Sequence, residues 1–268
     1  MDNRCIGVFD SGLGGLTCAR EIMNLLPDES IVYFGDTGRV PYGTRSAETI
    51  IKYTHSDIRF LKQFNPKAIV IACGTVSTNA LDIIRSTFPV PVVGVVDGAA
   101  FKAAEIAKNG SGRVLVLGTP ATIKSGAFEK AVRENGCDKV LSIPCPMFVP
   151  LAENGYTTVK HIPALEIAKE YLAPAFDFAP DAVILGCTHY PLLSEVISYL
   201  LPNSVLVSSG AEAVNQLKET LISSRSEQNG GGKGRYFVSD GVEGLTENAG
   251  RFLHTPVSNV TAIDINSY

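Results

Sequence analysis

Two cysteines of this chain, Cys73 and Cys187, lie in similar sequence settings. The first lies in the run FNPKAIVIACGT and the second in the run FAPDAVILGCT. Each run starts with Phe-X-Pro, continues through Ile and Val, and reaches a cysteine that is followed within two residues by threonine. Each setting predicts a thiol where a strand gives way to a helix. Because a thiol near a helix N-terminus ionises more readily, and the thiolate is the reactive form, the pattern favours two reactive sulfurs.

A pair of such thiols suits one kind of chemistry, the inversion of a carbon centre by proton transfer. A base must remove hydrogen from one face of the carbon while an acid supplies it to the other, and the roles exchange in the reverse direction. Two thiols from matching parts of the chain meet that requirement when one is ionised and the other is not. The usual alternative for a strand cysteine is a small buried apolar side chain, and we assign that role to Cys5, Cys18 and Cys137.

His189 follows Cys187 by two residues and has three possible roles: a proton partner for the thiol, a metal ligand or a solvent-facing ring. The nearby sequence supplies no convincing set of further ligands, so a zinc site is not favoured and we predict no metal. Cys145, between two prolines, is interpreted as structural.

The stretch FDSGLGGLT places Asp10 and Ser11 before a glycine-rich turn. It does not match G-x-G-x-x-G, and the chain has no G-x-x-x-x-G-K-[ST], so a nucleotide site is not favoured. A strand-to-helix turn capped by either side chain is the simpler interpretation of the glycines. An acid at a strand end nevertheless points to a functional role for Asp10.

A second loop, GDTGRVPYGTRS, places Asp36 after a strand and Pro41, Tyr42 and Gly43 in the turn that follows. These residue types are common in ordinary turns. Alternatively, the backbone N–H groups and the Tyr42 hydroxyl bind a carboxylate or phosphate.

The elements that must position these residues are short apolar strands alternating with helices. The first set of strands is IGVFDSG, IVYFGD, AIVIACG and PVVGVVD; a helix near 99–108 follows, and the second set is RVLVLGT, KVLSIPC, AVILGCT and SVLVSSG. This alternation predicts an α/β fold of two similar domains with mostly parallel sheets flanked by helices. Each cysteine run is the third strand of its set, which supports an internal duplication.

The predicted domains are residues 1–97 plus 212–268, and residues 98–211. The last part of the chain has a helical stretch AEAVNQLKETLISS, a flexible QNGGGKG link and a strand RYFVSD that returns to the first domain. Ligands of open α/β sheets bind beyond the carboxyl ends of the strands, and facing domains enclose one cleft there. The residues expected at such ends are Asp10, Asp36, Cys73, Thr119, Cys145 and Cys187.

Composition excludes several classes of protein. The 268 residues are 45% hydrophobic and 19% charged, with a formal net charge of −4, which is typical of a globular protein. Acidic and basic residues are dispersed, so nucleic acid and membrane surfaces are not expected partners. The first apolar run stops at Asp10, too short for a signal-peptide core or a membrane span, and we therefore expect a cytoplasmic protein with unpaired cysteines.

Taken together, the motifs resemble a known family. FDSGLGGL, GDTGRVPYG, ACGT, VPLAENG and GCTHYPL occur in this order along essentially the whole chain. The sequence thus resembles the cofactor-independent glutamate racemases of bacteria. The resemblance implies a site between two α/β domains, interconversion of L- and D-glutamate, supply of D-glutamate for peptidoglycan, no cofactor, and a homodimer.

The same resemblance assigns roles by motif position. Cys73 and Cys187 are the expected catalytic acid and base, with Asp10 assisting Cys73 and His189 assisting Cys187. Asp36 and Glu153 are expected to influence the site from nearby. The residues expected to contact the amino acid are Asp10, Ser11, Pro41, Tyr42, Gly43, Gly74, Thr75, Thr119, Thr122, Thr188 and His189.

One position departs from the family pattern, because Gly74 stands where the family typically has Asn. Glycine cannot supply an amide side chain to the substrate, so a backbone N–H or water replaces that contact. Two other functions remain open: a racemase for aspartate or another acidic amino acid, and a non-catalytic protein whose interdomain cleft closes on a small anion. A binding protein of that kind has no need of paired thiols.

Overall fold

The computed structural model of the protein describes residues 2–226, 228, 231–257 and 259–268. Its strands are β1 (Ile6–Asp10), β2 (Ile31–Gly35), β3 (Ala68–Ile71), β4 (Val92–Gly94), β5 (Arg113–Gly118), β6 (Lys139–Pro144), β7 (Ala182–Leu185), β8 (Val205–Ser208), β9 (Gly234–Val238) and β10 (Val260–Ala262). Its helices are α1 (Leu16–Leu25), α2 (Ala47–Lys62), α3 (Gly74–Asn79), α4 (Leu81–Thr87), α5 (Asp97–Lys108), α6 (Pro120–Ser125), α7 (Ala127–Glu134), α8 (Phe148–Glu153), α9 (Ile162–Phe178), α10 (Ser194–Leu200), α11 (Ser209–Ser224) and α12 (Val242–Leu253).

The strands form two sheets, each the centre of one lobe. The first lobe has six strands in the order β10-β9-β2-β1-β3-β4, and the second has four in the order β6-β5-β7-β8. All pairings are parallel. The predicted fold class is therefore confirmed. The first four strands of each lobe follow the same spatial order, second-first-third-fourth, and the internal duplication stays a prediction.

The end of the chain completes the first sheet. β9 pairs with β2, and β10 pairs with β9. The sequence predicted β9 but missed β10, a three-residue strand at the sheet edge whose side chains are at least partly exposed and so carry no apolar run. Asn229 and Gly230 of the predicted flexible link lie outside the described residues. The predicted domain bounds, residues 1–97 plus 212–268 and 98–211, stay a prediction.

The buried apolar side chains of the described residues form three groups. One group lies within the first lobe and another within the second, on the outer faces of the two sheets. The third is shared, because it includes residues of both sheets and of α1, α5 and α11. Small side chains let α5 pack closely here, and its buried residues are Ala99, Ala100, Ala103, Ala104 and Ala107. The shared group joins the lobes on one side and leaves the strand ends free to border a cleft.

None of the helices in the described ranges combines the length and apolar character that crossing a membrane requires.

Candidate active site

The carboxyl ends of the two sheets border a common cavity of about 390 Å³. This volume lies within the usual range for small-molecule sites. Its lining comes from both lobes: Ser11, Gly12, Val40, Pro41, Tyr42, Gly43, Thr44, Cys73, Gly74 and Thr75 from the first, and Thr119, Pro120, Pro146, Val149, Pro150, Glu153, Cys187, Thr188 and His189 from the second. The two sulfur-bearing residues thus reach one cavity from opposite lobes.

Cys73 lies just beyond β3 and is the residue that precedes α3. Its sulfur lies 3.2 Å from the Ser11 hydroxyl, which follows β1. Since β1 and β3 are hydrogen-bonded neighbours, residues at their ends must meet. The sequence predicted Ser11 as a substrate contact; the structure adds a direct contact with the Cys73 thiol.

The thiol of Cys73 is not easier to ionise in this structure, contrary to the prediction. Burial raises its pKa to about 12, and the negative charge of Asp10 acts in the same direction. The hydrogen bonds from Ser11 and from the backbone N–H of Val76 oppose the rise but do not outweigh it. The six-residue α3 therefore lowers the pKa of this thiol less than the loss of water raises it, since Cys73 is only 5% exposed. Cys73 is consequently a proton donor at neutral pH.

Asp10 lies behind the cavity lining. One carboxylate oxygen accepts from the Gly12 N–H at 2.9 Å, and the other is buried with no hydrogen-bond partner in the part of the chain that the structure describes. Burial raises the pKa of this carboxyl, while the charge of His189 and the N–H groups of Gly15 and Gly12 act against the rise. Asp10 thus interacts with the charge of His189 in the second lobe, and its assistance to Cys73 stays a prediction.

Cys187 has a basic partner within its own lobe. It lies beyond β7, and the chain then enters a short 3₁₀ helix, Tyr190–Leu193, that leads directly into α10. The sulfur lies 3.9 Å from Nδ1 of His189, and Nε2 of that ring lies 3.0 Å from Oε1 of Glu153. The sequence left the role of His189 open, and the geometry favours a proton partner.

The charge of His189 follows from this arrangement. Burial disfavours the protonated ring, but hydrogen bonds with Cys187 and Glu153, together with their negative charges, raise its pKa to about 10. The ring is therefore protonated at neutral pH, next to the sulfur that faces the cavity. Phe252 of α12 stacks edge-on against it, with ring centres 5.6 Å apart, and fixes its orientation.

Gly14 lets the glycine-rich turn of the first lobe touch this histidine. A methyl group built on Gly14 would lie 2.3 Å from Oγ1 of Thr188 and 2.4 Å from Nδ1 of His189. These distances are too short for any side chain at that position. The turn thus serves close approach between the lobes, a role that neither the nucleotide-site nor the helix-cap interpretation contained.

Hydroxyl groups of both lobes meet at one end of the cavity. Oγ1 of Thr75 lies 2.9 Å from Oγ1 of Thr119, which in turn lies 3.0 Å from Oγ1 of Thr122. Thr119 lies immediately before α6, and its side chain accepts from the N–H of Thr122, so that helix orients the group. Thr122 is 2% exposed and lies behind the lining, and its predicted contact with substrate stays a prediction.

The loop that carries Pro41, Tyr42 and Gly43 covers another side of the cavity. The N–H of Ala121 donates to the carbonyl of Gly43 at 3.0 Å and ties the loop to the second lobe. The Tyr42 hydroxyl, for which binding of a carboxylate or phosphate was one of two interpretations, donates to Asp36 and, at 3.1 Å, to Asp57. Tyr42 lines the cavity, and its contact with substrate stays a prediction.

A buried polar cluster holds this loop. Asp36 and Asp57 are fully buried, and Arg39 forms ion pairs with both carboxylates. The guanidinium also stacks on Tyr53, 4.5 Å from the ring centre. Asp36 therefore lies behind the cavity lining, and its influence on the site stays a prediction.

Asp57 was missed by the sequence analysis. It lies on the face of α2 that buries Ile50, Thr54, Ile58 and Leu61, so an acid on an apolar helix face was the available signal. Burial, followed by the Asp36 carboxylate, raises its pKa well above the ordinary range. We infer that Asp57 orders the loop mainly through its shape and hydrogen bonds.

Replacing Asp57 with Ala should raise KM for the substrate about tenfold and change kcat less. Arg39 and Tyr42 would each lose a buried partner, which typically costs about 1–3 kcal/mol and loosens a loop that lines the cavity without carrying either sulfur. Asp57→Asn keeps the shape and one acceptor oxygen and should recover most of the loss. Steady-state kinetics on these variants and on the exposed-site control Asp177→Ala would test this. Equal KM values for Asp57→Ala and the control would disprove it.

Three comparisons place the chain among known proteins. Residues 15–217 match the family model "Asp/Glu/Hydantoin racemase". A glutamate racemase of Geobacter metallireducens is 41% identical over 276 aligned positions, covering 100% of this chain and 99% of that protein. A crystal structure of the Francisella tularensis glutamate racemase in complex with D-glutamate aligns with a TM-score of 0.92 and 36% identity, covering 100% of both chains.

The Escherichia coli glutamate racemase, crystallised with L-glutamate and the activator UDP-MurNAc-Ala, aligns with a TM-score of 0.79 and 30% identity, covering 97% of this chain and 98% of that one. The fold and the length agree with those of these proteins. The chain therefore belongs to the Asp/Glu/hydantoin racemase family and, within it, to the glutamate racemases.

Proposed function

We propose that this protein interconverts L-glutamate and D-glutamate by a two-base mechanism in which Cys73 and Cys187 exchange protons with the α-carbon. The observation that carries the proposal is the placement of the two cysteines, one at the end of β3 and the other at the end of β7, on one cavity between the lobes. Family membership supports the same reaction.

Starting from L-glutamate, Cys187 as thiolate removes the α-proton and its S–H bond forms as the C–H bond breaks. Cys73, held as a thiol, donates its proton to the opposite face and yields D-glutamate. The sulfurs have then exchanged charge, and D-glutamate starts the reverse reaction at Cys73. No other reactant is consumed.

Negative charge that develops on the α-carbon spreads into the carboxylate, so donors near that group lower the barrier. The cavity presents the hydroxyls of Ser11, Thr75, Thr119 and Thr188 for this purpose. Protonated His189 places a positive charge beside Cys187, where it attracts the negative charge that the mechanism assigns to that sulfur. Glu153, on the other side of the ring, keeps the imidazole protonated and oriented.

The physiological setting follows from the reaction. We propose that the protein supplies D-glutamate for peptidoglycan in the cytoplasm and acts as a homodimer. Glutamate is favoured over aspartate because the relatives that match across the chain are glutamate racemases.

Incubation in D₂O should place deuterium on the α-carbon of both glutamate enantiomers, with loss of optical activity and without added cofactor. Proton NMR of the α-hydrogen and chiral chromatography would measure the two events. Aspartate in the same assay should react at least about 10²-fold more slowly, since a site built for one side-chain length positions a shorter one poorly. Binding of glutamate without exchange of this hydrogen would show that the protein is a non-catalytic binding protein. Faster turnover of aspartate than of glutamate would show that it is a racemase for aspartate.

A further inference from the structure

The two cysteine-bearing segments touch through their backbones. Gly74 follows Cys73, and Gly186 precedes Cys187. A methyl group built on Gly74 would lie 2.2 Å from the carbonyl oxygen of Gly186 and 3.2 Å from its carbonyl carbon. Atoms cannot approach so closely, so only a residue without a side chain permits this contact.

Neither segment is free to move aside. Gly186 donates its N–H to the carbonyl of Leu117 in β5 at 2.8 Å. On the other side, the N–H of Ala72 donates to Phe9 in β1 at 2.9 Å, and the carbonyl of Cys73 accepts from Ser77 at 2.9 Å. The obstacle that a side chain at position 74 meets is thus a fixed backbone oxygen.

Relief of such a clash must come from the lobes. Since ordinary contacts of a Cβ atom begin at 3.4 Å, the two segments would have to separate by about 1 Å. The shared apolar group joins the lobes on one side only, and each lobe has an apolar group of its own. Opening of the cleft therefore relieves the clash at the lowest cost in free energy, because it leaves the packing within each lobe intact. Opening would also stretch the 2.9 Å contact between Thr75 and Thr119.

We propose that the contact between Gly74 and Gly186 is the spacer that sets the separation of the two sulfurs, and that Gly74 is a positioning residue for proton transfer. This inference rests on the proposed function. The chemical consequence is specific: widening the cleft lengthens at least one of the two proton transfers, and every turnover uses both. A 1 Å misplacement of reacting groups can cost about 10²-fold, and relaxation of the loops recovers part of it.

Gly74→Ala should therefore lower kcat about tenfold in both directions and increase the primary isotope effect measured with α-deuterated glutamate, because proton transfer becomes the slow step. The matched control is Gly244→Ala in α12. A methyl group built on Gly244 has no neighbouring atom within 4 Å outside its own helix backbone and adjacent residues. The control should retain the wild-type rate and isotope effect. A loss caused only by weaker binding would raise KM and leave kcat and the isotope effect unchanged.

Each outcome decides the point. Wild-type kcat and isotope effect in Gly74→Ala would overturn the spacer while leaving the proposed function intact. Absence of racemase activity in the wild-type protein would contradict both the spacer proposal and the proposed function. A Gly74→Ala protein without a cooperative thermal transition would also contradict the proposal, since a spacer between lobes opens a cleft and does not unfold their separate cores.

Discussion

Cys73→Ser and Cys187→Ser should each lower kcat for glutamate racemisation by about 10³-fold or more, with the fold retained. General acid–base catalysis by a positioned group contributes about 10²–10⁴-fold, and each sulfur is both an acid and a base in a complete cycle. A serine hydroxyl holds its proton far more tightly than a thiol, so it cannot act as the base and donates poorly. Polarimetry from each pure enantiomer would give the two rates.

The control for these variants is Cys5→Ser. Cys5 and Cys187 are both 7% exposed, so the same substitution costs a similar loss of buried sulfur in both places. Cys5 lies at the opposite end of the first sheet, with its thiol directed to the carbonyl of Phe64. Its variant should racemise glutamate normally. Full activity in either of the other two variants would refute the two-cysteine mechanism.

The same variants should differ in which enantiomer exchanges its α-hydrogen. In Cys73→Ser only the Cys187 side retains a base, so in D₂O deuterium should enter L-glutamate with retention of configuration. In Cys187→Ser the exchange should be confined to D-glutamate. Proton NMR combined with chiral chromatography would distinguish this from slow racemisation. Exchange of the same enantiomer in both variants would mean that the sulfurs do not face opposite sides of the carbon.

The sequence was most informative where chain direction alone determines position. Apolar runs ending in Asp10, Cys73 or Cys187 predicted strands, and parallel strands bring their carboxyl ends to one edge, so these residues had to gather near a cleft. Local sequence also identified the family, because its motifs surround the strand ends. For Asp57 it offered only an acid on an apolar helix face, because the importance of this residue depends on its contacts with Arg39 and Tyr42 in a loop distant in sequence.

Contacts between the lobes also could not be predicted from the sequence. Gly14 and Gly74 were recognised as turn or substrate-site residues, but their closeness to His189 and Gly186 is a property of how two lobes pack. The prediction that Cys73 ionises easily was wrong for a similar reason. The sequence indicates a helix N-terminus, but the pKa of the thiol depends on burial by the surrounding segments and on Asp10.

His189→Asn should lower kcat/KM by about 10²-fold at neutral pH, the lower part of the range for acid–base groups. The amide can occupy the position of Nδ1 near Cys187 but cannot carry a proton charge. Enantiomers have equal free energies in water, so the equilibrium constant is one and kcat/KM must fall equally in both directions. Unequal losses can appear only in kcat and KM taken separately. His55→Asn, at an exposed position of α2, is the control and should leave both constants unchanged.

The pH dependence gives the sharper test of His189. Its pKa is raised from 6.5 to about 10, so the charged ring is available below that pH and is lost above it. The ratio of wild-type to variant kcat/KM should therefore be largest near neutral pH and shrink as pH rises through about 10. Ionisation of the substrate amine affects both proteins alike and cancels in the ratio. A ratio that stays constant to pH 11 would show that the ring's charge does not assist Cys187.

The stability of the fold without substrate should also decrease as His189 loses its proton. Because the folded protein holds the His189 proton more tightly than the unfolded chain, the interaction with Glu153 and Cys187 stabilises the fold fully below pH 6.5. That contribution declines as pH rises and is gone above about 10. The difference in free energy of unfolding between wild type and His189→Asn, from urea titrations at several pH values, should fall across this window. If activity loses its pH dependence in the variant while this difference does not change with pH, the charge belongs to the catalytic step and not to the resting fold.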